Sequence, residues 1–199
     1  SDYGGYFSPD PANDVLDYIG AMLRLDASSI EDPDFNDGSA YRTAPQEIGY
    51  GDPLYDDIVL NLTEGMDAGI ILHGPCSILA YDGYYYKDMR TSIFPLKLDI
   101  LLSYGENATA IDSDVSGLNE TLDLYSYDIA EVGIGGYPAV VYESLIDLND
   151  SHLIVGGEAF YTFYKNMYDQ NTENGAYNGG VHYGQMFTNN IINFLVKAP

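Results

Sequence analysis

Apolar and polar positions alternate with two different periods along this chain, and the periods predict its elements. Val15, Leu16, Ile19, Met22 and Leu23 recur at helical spacing. They predict a helix from an Asn13 cap through Leu25, with Gly20 as an internal weak point. Residues 26–57 are polar and interrupted by proline, which predicts a long loop carrying short strands. Ala68 to Leu72 is a continuous apolar run stopped by Gly74-Pro75, the pattern of a strand covered on both faces. Ser77 to Tyr81 extends the pairing, and Asp82-Gly83 marks a turn before Tyr84-Tyr85-Tyr86. Leu98 to Leu102 fits a strand or a helix, with Pro95 favouring a strand start after it, and Tyr137 to Tyr142 and His152 to Val155 are further strand candidates. Gln185 to Val196 closes the chain as a helix, with Met186, Phe187, Ile191, Phe194 and Leu195 on one broad face.

Helices flanking short buried strands predict an α/β fold, a mostly parallel sheet in three layers. With 199 residues and no linker-like break, the reading is a single domain over 1–199.

Charge changes the picture of the surface. The chain has 31 Asp and Glu against 7 Lys and Arg, a formal net charge of −24. Such a surface repels phosphate backbones and anionic bilayers, so nucleic acid is not an expected partner, and apolar runs such as Ala68 to Leu72 are too short for direct membrane insertion of this segment. Cations or a saline medium are the natural counterweight. Tyrosine is abundant at 20 residues, while tryptophan is absent. Tyrosine carries apolar area with a polar tip, which suits soluble interaction surfaces.

Four N-x-S/T sequons begin at Asn61, Asn107, Asn119 and Asn149, and predict an exported, glycosylated protein. The strongest cation motif is Asp112-Ser113-Asp114-Val115-Ser116-Gly117 with Glu120 and Asp123 downstream. Oxygen ligands from Asp112, Asp114, Ser116, Glu120 and Asp123 match the spacing of a 12-residue calcium loop, with glycine at the sharp turn. Asp123 is shorter than the glutamate usual at the last position. The acidic run Asp32 to Asp37 reads as a solvated turn, because Gly38 falls one place late and Pro33 stiffens the start.

Cys76 is the sole cysteine and follows His73-Gly74-Pro75. Pro75 removes an amide N–H beside it, and no glycine follows, so a nucleophile elbow is not formed. His73, His152 and His182 lack the paired spacing of a zinc site.

Three stretches carry a resemblance. They are Ser1-Asp2-Tyr3-Gly4-Gly5-Tyr6 with the helix from Asn13 to Gly20, Gly105-Glu106-Asn107-Ala108-Thr109 leading into Asp112, and Ser151 to Phe160 followed by Phe187 to Leu195. Together they resemble class I glutamine-amidotransferase-like modules of large secreted archaeal surface proteins. The resemblance implies a flavodoxin-like sheet and a chain that begins inside a longer exported protein. It implies no activity.

The resulting expectation is a non-catalytic domain, extracellular or at the cell surface, stabilised by calcium and working by assembly with itself or with other surface proteins. Two rivals stand beside it. One is a secreted hydrolase or amidotransferase-like enzyme using Cys76 with a histidine. The other is a carbohydrate-binding module that receives glycans on tyrosines.

Overall fold

A computed structural model describes residues 9–26, 28–45, 47–48, 56–66, 70–90, 98–112, 135–145, 151–158 and 182–197. Its elements run α1 (Asp10–Tyr18), β1 (Leu23–Leu25), β2 (Ser28–Glu31), β3 (Glu47–Ile48), α2 (Asp56–Leu62), β4 (Ile78–Tyr81), β5 (Tyr86–Lys87), β6 (Leu98–Ser103), β7 (Thr109–Asp112), β8 (Pro138–Leu145), β9 (Ser151–Gly156) and α3 (Gly184–Lys197).

The strands form three sheets, ordered β1-β4-β5, β2-β7 and β3-β6-β8-β9. Every described pairing is antiparallel. This corrects the expected parallel, flavodoxin-like α/β sheet, and with it the amidotransferase-like fold. The physical reason lies in connection length. Residues 146–150 join β8 to β9, and so short a link cannot carry a parallel crossover, which needs a dozen residues or more. The same holds for 82–85 between β4 and β5.

The continuous apolar runs misled because they report burial on two faces, not strand direction. All eight positions of β8 are buried, yet the strand is antiparallel to both neighbours. Val140 and Tyr142 belong to one core, with Leu62, Met66 and Phe187 from the α2 and α3 side. Val141 and Leu145 belong to the other, with Leu16, Leu23, Ile78 and Ala80 from α1, β1 and β4. The four-stranded sheet is therefore covered on one face by helices and on the other by the small sheet and α1. Burying each such Leu, Ile or Val contributes about 1.5–3 kcal/mol.

Helix α1 stops at Tyr18, not at Leu25. Gly20 takes φ 70° and is the stop itself, not a weak point inside a longer helix. Gly20 N bonds Asp17 O at 2.9 Å and Ala21 N bonds Leu16 O at 2.9 Å, the paired closing bonds of a left-handed helix end. Leu23 to Leu25 then leave as strand β1. Asn13 is no cap either, since Pro9 holds that place. The Asn13 amide instead brackets Leu25, donating to its O and accepting from its N at 2.9 and 2.8 Å.

Ile70 to Leu72 are buried as expected but join no sheet. Their amides are satisfied elsewhere: Ile71 N donates to His182 Nδ1 at 3.1 Å and Leu72 N to Thr43 O at 2.9 Å. No helix among the described residues is long and apolar enough to cross a membrane.

Candidate functional site

The segment 70–76 places Cys76 in the interior. The residue is 2 % exposed, and its Sγ lies 3.1 Å from Gly157 O, which it faces as donor. Burial pushes the thiol up to about 11, with the Asp26 and Glu158 charges adding to the rise. A nucleophilic cysteine needs the opposite, a thiolate favoured by a neighbouring imidazolium or helix terminus. The histidines are engaged apart from it. His182 Nδ1 accepts from Ile71 N, and His152 Nδ1 shares a 2.7 Å hydrogen bond with Tyr142 OH. His73 meets the ring of Tyr41 edge-on at 5.2 Å, while its backbone N donates to Glu158.

Around Cys76 the interior is polar. Thr43, Ser77 and Tyr104 are fully buried; the Thr43 and Tyr104 hydroxyls face each other, and Ser77 Oγ has no hydrogen-bond partner among the described residues. Burial drives the Tyr104 hydroxyl well above its usual range, and Cys76 and Glu158 push it in the same direction. Gly157 is required here by contact. A Cβ on it would fall 2.0 Å from Cys76 O. These groups favour neutral forms, which suits packing and not acid–base exchange at neutral pH.

The acidic run at 32–37 is not a solvated turn. Asp32 and Asp37 are 1 % and 0 % exposed. Asp32 Oδ1 accepts from Asp34 N and Phe35 N, both at 2.9 Å, so its carboxylate organises the turn. Among the described residues no group of three or more His, Cys, Asp or Glu side chains is placed to hold a metal ion. Of the predicted calcium loop only Asp112 is described, as the last residue of β7 opposite Ser28. Asp114, Ser116, Glu120 and Asp123 lie outside the described residues, as do the sequons at Asn119 and Asn149. Asn61 is exposed on α2, its Nδ2 donating to Asp57 O at 2.6 Å. Asn107 is exposed on the turn before β7, its Nδ2 donating to Asp34 Oδ2 at 2.5 Å.

The best-formed surface feature is the β4–β5 hairpin tip. Asp82 Oδ1 accepts from Tyr84 N at 3.0 Å and Tyr85 N at 2.8 Å, and Oδ2 pairs with Lys87 Nζ at 2.6 Å. Its carboxyl is held down to about 2, chiefly by the Lys87 hydrogen bond and then by the two amides. Gly83 sits at φ 94°, and Tyr81 OH donates to Gly83 O at 2.9 Å. Tyr81 and Tyr86 rings pack at 4.6 Å below the tip. Tyr84 and Tyr85 are left outside, 84 % and 72 % exposed. The turn signal at Asp82-Gly83 was legible in sequence. Which of the three consecutive tyrosines turns inward was not.

The arginines are engaged within the chain. Arg24 is buried, donates to Ala21 O and Leu23 O, pairs with Asp17 at 2.6 Å and lies over Tyr81 at 5.2 Å. Arg90 chelates Asp88 and lies 4.1 Å over Tyr137. Arg42 lies 5.5 Å over Tyr41. All three arginines of the sequence are thus spent on internal partners. No known protein family, curated protein or solved structure matches this chain.

Proposed function

We propose that this chain is a non-catalytic structural or interaction domain that works outside the cell, at a surface, in a cation-rich medium and with glycans attached. One observation carries the reading. A net charge of −24 stands on a fold whose three arginines each lie over a tyrosine of the same chain, two of them also paired with a carboxylate. Few basic groups remain to balance the outer carboxylates, so mobile cations must do so. The exposed Asn61 and Asn107 side chains support the glycan part. The buried, neutral Cys76 supports a non-catalytic role.

The test is a melting series on native material with its intact mass recorded. The expected result is a midpoint that rises with added calcium and salt and falls with chelator at low salt, on a polypeptide heavier than its sequence. A midpoint indifferent to all ions, on a chain of bare sequence mass, would sink the reading.

A further inference from the structure

We propose that the tip of the β4–β5 hairpin is a docking site for an arginine-bearing basic segment of a partner protein, received on the faces of Tyr84 and Tyr85. The inference rests on reading the chain as an interaction domain, and it names the partner's chemistry.

The tip is built to present these rings. Asp82 fixes both tyrosine amides and Lys87, and Asp82 N closes the turn onto Tyr85 O at 3.2 Å. The backbone is therefore set before any partner arrives, which lowers the ordering cost of binding. Neither the Tyr84 nor the Tyr85 side chain has a hydrogen bond or ring contact among the described residues. Two large amphipathic side chains held open on a rigid turn have the composition of an interface anchor.

Two observations select the occupant. First, this fold repeatedly sets arginine on tyrosine: Arg24 on Tyr81, Arg42 on Tyr41 and Arg90 on Tyr137. With all three arginines so placed, none is left for Tyr84 or Tyr85, and a guanidinium received on those rings would come from another molecule. Second, the charge of −24 attracts a basic segment and repels a second copy of the chain. Arginine suits the site better than lysine, because its planar, weakly hydrated head stacks on aromatic faces.

The experiment is calorimetric titration of the full chain at about 0.15 M salt. The probes are a synthetic glycine–arginine peptide, the same peptide with citrulline in place of arginine, and a neutral cello-oligosaccharide. The arginine peptide is expected to bind. The Tyr84→Ala/Tyr85→Ala variant should bind it roughly tenfold more weakly, while Tyr84→Phe/Tyr85→Phe stays within about twofold. Tyr18→Ala, exposed on α1, should change nothing. The proposal is overturned if the arginine peptide does not bind, if the double alanine variant binds it as the wild type does, or if citrulline peptide or sugar binds as tightly. Those failures would leave the ion and glycan dependence of the domain standing, since that is read from melting and mass alone.

Discussion

Two ionisable side chains show how position sets chemistry. Asp82 gains three partners at the hairpin tip and its carboxyl falls to about 2. A lowered carboxyl stabilises the fold above the ordinary value near ~3.9 and loses that effect as pH falls through the folded value. The Tyr84 and Tyr85 amide resonances should therefore hold position as pH drops past 4 and shift only near about 2. A midpoint near the ordinary carboxyl value would contradict the locked tip. Cys76 moves the other way, to about 11. A raised thiol favours the native state while it stays neutral, and that preference is lost as pH rises through the folded value. Alkylation by iodoacetamide should be negligible in native buffer at neutral pH and should rise in step with the unfolded fraction in urea. Labelling of the native protein at the rate of a free thiol would show that the burial is wrong.

At the scale of elements, polar atoms decide how the layers lock. Glu143 on β8 is 1 % exposed and accepts from Met22 N at 2.8 Å and Leu23 N at 3.3 Å. It joins the central sheet to the edge of β1. Glu143→Ala would orphan buried amides, and the expected cost is about 2–4 kcal/mol by chemical denaturation. Glu143→Gln keeps an acceptor and should cost less; equal losses would mean that packing, not hydrogen bonding, is what Glu143 supplies. Gly20 tests the helix stop. With φ 70° and open space around it, Gly20→Ala meets no clash but must hold a left-handed backbone. A loss of about 1–2 kcal/mol is expected. Gly157→Ala is a different case, because its methyl would overlap Cys76 O. That variant should lose more than about 3 kcal/mol or fail to fold.

At the scale of the whole molecule, the −24 charge dominates. The screening length falls from about 30 Å at 0.01 M salt to about 3 Å at 1 M. Self-repulsion among surface carboxylates should fall with it, and the melting midpoint should rise by about 5–10 °C over that range. Sodium and potassium chloride should act alike, whereas a specific site would respond to calcium at millimolar concentration or below. A flat midpoint across the series would show that the carboxylates are too dispersed to oppose folding.

The sequence by itself determined where several elements lie. Short apolar runs and flanking turns located β8, three residues short at its end, and β9, and marked β6 as strand or helix; the Asp82-Gly83 turn was found, and α3 to within one residue at each end. These signals are local, carried by the period of side chains along a few residues. It also set the charge and placed Asn61 and Asn107 in sequons. The tertiary structure decided what depends on neighbours. Strand direction came from pairing across the sheet, which no single run of apolar residues encodes. The end of α1 at Gly20 depended on where Leu23 to Leu25 could pair, with Ile78 to Ala80 far along the chain. Asp32 and Asp37 were drawn inside by a turn that composition reads as wet. Which tyrosines point outward was settled by contact as well: Tyr81 and Tyr86 stack on each other, and Tyr84 and Tyr85 remain in solvent because the turn between those strands leaves no surface for them to cover.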